Sequence, residues 1–199
     1  MEDKRQIIIC VCGPSGSGKS TFIKYLLLHY LNSFQLWPSI TNREKRDNER
    51  NGDPYFFFDD EVIKKMIDTG DFIEYELQPS NQKYYGKTHS SLNALTKEKI
   101  ILTEIQITKV KDLKEKLKEY RVFSIFLAPQ DLKLLNDRMI NRGDDKDMIE
   151  KRNALQTNEE LGQRELADYQ LSSVQDDVSA SANQLLKILD EQYSMKVNG

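Results

Sequence analysis

The chain has 199 residues, 38% of them hydrophobic and 31% charged, and its 29 Lys and Arg against 32 Asp and Glu give a formal net charge of -3. That length supports a full hydrophobic core in one α/β unit with small inserts, and the near-balanced charge excludes an electrostatic case for general binding to nucleic acid or anionic membranes. No apolar run approaches the ~20 residues of a bilayer span, and the opening Met1-Glu2-Asp3-Lys4-Arg5 lacks the apolar core of a signal peptide, so a soluble cytoplasmic protein is expected.

The apolar run 6–12 reads as a strand covered on both faces. Cys10 and Cys12 fall on one face of it by period-2 alternation, badly placed for a disulfide with each other, and read as buried core thiols. Directly after comes Gly13-Pro14-Ser15-Gly16-Ser17-Gly18-Lys19-Ser20, which fits G-x-x-x-x-G-K-[ST]. Such glycines let backbone amides turn inward around phosphate oxygens. Lys19 is then placed to reach the β and γ phosphates, Ser20 offers a hydroxyl to Mg²⁺, and a helix expected over 19–31, through Thr21, points its positive end at the anion. A chance glycine-rich turn would not come with the strand and helix on the correct sides. The segment points to nucleoside triphosphate binding.

Further strands are expected over 34–39, 99–104, 121–127 and 170–174, with helices over 107–119, 130–141, 148–166 and 179–193. This alternation predicts a central parallel sheet flanked by helices. Between 40 and 95 the pattern changes to short aromatic strands, 55–58, 72–77 and 84–88, around a helix at 60–69, which reads as a small β-rich insert. The charged stretch 141–166 reads either as a solvated helical hairpin or as a lid over phosphates. The expected organisation is a core of 1–39, 96–140 and 167–199, a small β-rich insert at 40–95 and a helical lid at 141–166. His29 and His89 stand alone, with neither a nucleophile pattern nor metal-ligand spacing around them.

Several side chains carry chemistry in this pattern. Arg43 and Arg46 form an R-x-x-R pair able to present forked donors to one phosphate, and Tyr55 and Tyr85 add phenolic donors. Glu74 offers a carboxylate that, while ionised, can accept two parallel hydrogen bonds from one ligand edge. Arg138 and Arg142 stand at i and i+4 and share one helix face.

Taken in order, these segments resemble guanylate kinases over most of the chain. The carrying residues are Gly13 to Thr21; Ser39 to Arg43 with Arg46; Asn51-Gly52-Asp53-Pro54-Tyr55; Asp71-Phe72-Ile73-Glu74; Tyr84-Tyr85-Gly86; and Leu135 to Gly143. The resemblance implies a P-loop kinase fold that uses ATP, with Mg²⁺, to phosphorylate GMP. It implies that Gly13, Pro14, Ser15, Gly16, Ser17, Gly18, Lys19, Ser20 and Thr21 hold ATP together with Arg138 and Arg142, and that Arg43, Arg46, Tyr55 and Tyr85 grip the GMP phosphate. Ser39 and Glu74 then read guanine, with Glu104 and Gln106 on the same side, and Arg152 is a further candidate lid arginine. Lys19, Arg43, Arg138 and Arg142 form the implied catalytic set. A monomer or homodimer is expected, with ATP and GMP as its small-molecule partners.

The chain departs from the family at several points. Lys87 and then Thr88 follow Gly86, where a small hydroxyl residue that helps read the base is usual. Glu104 and Gln106 stand where an Asp-x-Asp pair is usual, the approach 79–83 is longer, and Val174-Gln175-Asp176-Asp177 only loosely echoes the adenine-side Asn-Asp-Asp. Two rivals therefore stay open: a kinase of this type with another phosphorylated acceptor, and a phosphopeptide-binding module of the same fold without turnover. The intact Lys19-Ser20 favours an enzyme.

Overall fold

The computed structural model describes residues 3–46, 49–78, 81–129, 162–173 and 177–197. In chain order the elements are β1 (Ile7–Cys12), α1 (Lys19–His29), β2 (Phe34–Leu36), β3 (Ser39–Thr41), β4 (Arg50–Asn51), β5 (Pro54–Phe57), α2 (Asp60–Asp68), β6 (Phe72–Gln78), β7 (Lys83–Thr88), α3 (His89–Asn93), β8 (Ile100–Glu104), α4 (Val110–Lys116), β9 (Arg121–Pro129), β10 (Tyr169–Ser173) and α5 (Val178–Tyr193).

All six residues of β1 are buried. Ile7, Ile9 and Val11 pack with Phe22, Ile23 and Leu26 of α1 and Ala182, Leu185 and Leu189 of α5. Ile8, Cys10 and Cys12 belong to the opposite layer, with Trp37, Ile73, Val110 and Leu113. A strand with helices or loops on both faces has no solvent side, and this is why the run is continuously apolar. Both cysteines are buried and free, and burial pushes the Cys10 thiol up to about 12, which leaves it inert.

The sheet order is β10-β9-β1-β8-β2, with every neighbour parallel. The chain leaves β1 toward β2 on one side and later returns to β9 on the other, so the carboxyl end of β1 is the switch point where such sheets bind ligands. The register sets Val11 beside Glu104 of β8 and Cys12 beside Phe126 of β9. The glycine-rich loop therefore opens between the ends of both neighbours.

A second sheet, β4-β5-β3-β7-β6, stands beside the first. Here the expected strand 34–39 is corrected: it is two strands in two sheets. The Trp37 amide still donates to Leu102 O at 2.8 Å, but Pro38 has no N–H to continue the ladder, and β3 begins at Ser39 in the second sheet. Helix α1 also ends earlier than expected, because Tyr30 leaves helical geometry at φ -130 and ψ 49, and the Tyr30 carbonyl accepts from the Ser33 and Phe34 amides as the chain turns into β2. The expected helix 107–119 divides into a 3-10 turn at Ile107–Lys109 and α4, which ends at Lys116. The expected helix 130–141 and most of 148–166 lie outside the described residues; of the latter, the described end holds a 3-10 turn at Gln163–Leu166. The alternation pattern misses β4 and α3; Thr88 caps α3 by accepting from the Ser91 amide.

Among the described residues no helix is long and apolar enough to cross a membrane.

Candidate active site

In the donor half, Gly13 adopts φ +139, and a Cβ there would lie 2.7 Å from Leu127 O on β9, so the loop can pass this close to the sheet only as glycine. The Lys19 ammonium donates to Gly13 O at 2.9 Å and Pro14 O at 3.0 Å, and lies 3.4 Å from Glu104 Oε1. Ser20 Oγ donates to Glu104 Oε2 at 3.2 Å. Glu104, expected on the acceptor side, thus makes its polar contacts with the phosphate loop, where the β1–β8 register delivers it.

The acceptor half is built by the second sheet. Its register pairs Ser39 with Tyr55, Thr41 with Phe57 and with Tyr85, Glu76 with Tyr85, and Glu74 with Lys87. Directly paired residues project to the same side, so one face collects Ser39, Tyr55, Tyr85, Glu74, Glu76 and Lys87. Gly86 lies between the pairs. A Cβ there would come within 2.5 Å of Glu74 O and 2.6 Å of the Phe72 ring, so only glycine lets β6 and that ring close over β7.

Arg43 is clamped by a residue that the sequence reading missed. Its Nη1 donates to Glu49 Oε2 at 2.7 Å and its Nη2 to Glu49 Oε1 at 2.5 Å, and the Arg46 amide donates to Glu49 Oε2 at 3.0 Å. Burial works against ionisation of Glu49, but these hydrogen bonds prevail and hold its carboxyl below the usual range. The guanidinium carbon lies 5.0 Å from the Tyr55 ring centroid and 5.2 Å from that of Phe57, and the Tyr55 and Tyr85 rings meet edge to face at 5.9 Å. Burial holds the Tyr55 phenol well above its usual value, so it stays a donor. The R-x-x-R-x-x-E spacing is the one signal that could have singled out Glu49.

Glu74 and Lys87 are shifted toward each other by burial, the carboxyl upward and the ammonium downward, and each charge opposes the shift of the other. Gln106 Nε2 donates to Glu76 Oε1 at 2.7 Å. Glu76 is also absent from the sequence reading, although Glu74-Tyr75-Glu76 alternates and sets both carboxylates on one face.

The two halves share one open cleft of about 820 Å³, lined by Gly13, Lys19 and Ser20 on one side and by Ser39, Arg43, Arg46, Tyr55, Glu74 and Tyr85 on the other, with Glu104 and Gln106 between. Ser15, Gly16, Gly18 and Thr21 also line it; Pro14 and Ser17 complete the turn through a Ser17 N to Pro14 O bond of 3.1 Å. Arg138, Arg142 and Arg152 lie outside the described residues.

A parallel sheet ending in a phosphate loop, faced across a cleft by a small sheet bearing arginines, tyrosines and carboxylates, is the arrangement of a P-loop nucleotide kinase. The family model described as guanylate kinase matches residues 4–192. The chain is 35% identical over 192 residues to a guanylate kinase of Prochlorococcus marinus (strain MIT 9312), covering 95% of this chain and 99% of that one. With a guanylate kinase of Enterococcus faecalis the identity is 34% over 192 residues, covering 96% and 91%. A crystal structure of guanylate kinase from Anaplasma phagocytophilum shares the fold at TM-score 0.70 and 22% identity, covering 96% of this chain and 88% of that one. The chain belongs to the guanylate kinase family.

Proposed function

We propose that this chain transfers the γ-phosphoryl group of ATP to GMP, giving ADP and GDP, with the core, the acceptor insert at 40–95 and the lid at 141–166 as its working parts. The observation that carries the reading is the shared cleft, in which Lys19 and Ser20 face Arg43, Tyr55, Tyr85 and Glu74. A phosphate monoester is largely dianionic at neutral pH, so the acceptor oxygen needs no dedicated base. It forms a bond to the γ-phosphorus as the bond to the β–γ bridging oxygen breaks, and ADP departs. Catalysis then reduces to alignment and charge neutralisation.

In this reading Lys19 neutralises the transferred group, with the implied lid residues Arg138 and Arg142 completing the charge. Arg43, Arg46, Tyr55 and Tyr85 hold the acceptor phosphate. Arg43 exchanges its Glu49 partner for phosphate, a forked acceptor of the same geometry. Glu74 and Ser39 select guanine. The Ser20 hydroxyl and Glu104 carboxylate are hard oxygen donors already in contact, which suits Mg²⁺, and they would hold it. When bound, the ion would supply positive charge that neutralises the triphosphate. The absence of a membrane-length helix among the described residues is consistent with a cytoplasmic setting.

A coupled ADP-release assay with ATP, Mg²⁺ and a panel of mononucleotides tests this reading. GMP is expected to support turnover well above AMP, CMP and UMP; another preferred acceptor would overturn it.

A further inference from the structure

Lys87 is 1% exposed, and an uncompensated ammonium at that depth is strongly unfavourable. Its Nζ donates to Trp37 O at 2.9 Å and lies 5.4 Å from the Trp37 ring centroid. Thr103 Oγ1 donates to the same carbonyl at 3.0 Å. These contacts fix the ammonium against the core sheet, beside a small recess that it lines with Ser39, Tyr55 and Glu104 and that adjoins the main cleft. The opposite charge comes from two strands: Glu74, its register partner on β6, and Glu104 at the end of β8. The other titratable groups acting on the pair are Glu76 on β6, Lys109 on the 3-10 turn, Lys116 on α4 and Cys10 on β1.

We propose that Lys87 is a positioning residue for acceptor recognition: its buried ammonium is the counter-charge that keeps the Glu74 carboxylate ionised toward the edge of a 2-amino-6-oxopurine monophosphate. The inference rests on the reading of Glu74 as the group that meets the base. A carboxylate reads N1–H and the exocyclic amine only while ionised, because its protonated form sets an O–H where an acceptor is needed. Burial favours that protonated form, and Lys87 opposes it from across the β6–β7 ladder. A cation in place of a hydroxyl therefore serves the base site indirectly, through the carboxylate it faces.

The test is the pH dependence of GMP affinity in the wild type, in Lys87→Met and in Lys87→Gln, each taken as a ratio to AMP affinity so that ionisation of the shared phosphate near pH 6 cancels. The ratio is expected to rise with pH in the wild type. In both variants its midpoint should move upward by about one unit, or about tenfold weaker GMP preference at a fixed pH below the midpoint, with affinity for an ATP analogue retained. Gln keeps a donor for Trp37 O without the charge, so a purely structural role would spare it. An unchanged midpoint in Lys87→Gln overturns the proposal alone, whereas a wild type without GMP preference at any pH overturns the reading of Glu74 as well. Nitrogen-detected NMR of Lys87 Nζ in the unmutated protein gives an independent result: a charged ammonium in the GMP complex at pH 7 supports the proposal, and a neutral amine overturns it.

Discussion

Lys19 is already restrained over the loop by Gly13 O and Pro14 O, so little ordering is left for the nucleotide to impose. Lys19→Ala should lower kcat at least about a hundredfold, the effect of removing about 3 kcal/mol of preorganised charge, with a melting temperature close to wild type; steady-state kinetics beside a thermal melt check both. Glu74→Gln should reduce kcat/KM for GMP by about ten- to a hundredfold while sparing ATP, since an amide offers one acceptor where the base presents two donors. Because burial holds the Glu74 carboxyl above its ordinary value, GMP affinity should weaken relative to AMP affinity as the pH falls from neutral, a ratio in which ionisation of the shared phosphate cancels. These residues were legible in the sequence because each belongs to a local motif with its own chemistry. Glu49 was marked only by the R-x-x-R-x-x-E spacing, which in a stretch crowded with Glu44, Lys45, Arg46, Glu49 and Arg50 does not alone fix which carboxylate reaches Arg43. The direction of Lys87 was not legible, since its partner Trp37 is 50 positions away.

The elements of the core sheet were legible where a strand is buried on both faces or a helix is amphipathic, and the strand expected over 34–39 fails where a proline and a sheet switch intervene. Ser39 reads as the end of a core strand from its neighbours alone, yet Pro38 carries it into the acceptor sheet, opposite Tyr55. Gly86 marks a close crossing in that sheet. Gly86→Ala should cost about 1–3 kcal/mol by overpacking and raise KM for GMP more than KM for ATP, because the displaced backbone carries Glu74; chemical denaturation and kinetics measure the two effects. Asp168 ties β10 to β9 and α4, accepting from the Ser124 amide at 2.6 Å, Ser124 Oγ at 2.8 Å and Lys114 Nζ at 2.7 Å. Burial works to raise its carboxyl, but those donors prevail and lower it below 3.8. A carboxyl lowered in the folded state adds stability that is complete above its unfolded value and is lost as pH falls through the folded one. Asp168→Asn should therefore destabilise at neutral pH, by about 1–3 kcal/mol, and the difference from wild type should shrink below about pH 4; denaturation midpoints at the two pH values check it.

At the scale of the molecule, donor and acceptor halves meet across an open cleft of about 820 Å³, and the charges they bind come together only when both nucleotides are present. GMP with a non-hydrolysable ATP analogue should draw the second sheet toward the phosphate loop, and small-angle scattering should record a smaller radius of gyration with both ligands than with either alone. The alternation of short apolar strands with amphipathic stretches made this division readable, because a sheet with crossover helices imposes that period on the chain. The cleft itself was not readable, since its shape depends on how two sheets face each other. The central claim is that the γ-phosphoryl group passes directly across this cleft to GMP. A single-turnover reaction with γ-labelled ATP, Mg²⁺ and GMP, its products separated by chromatography, measures that transfer: label in the β position of GDP is the predicted result, and label in inorganic phosphate with GMP unchanged would contradict it.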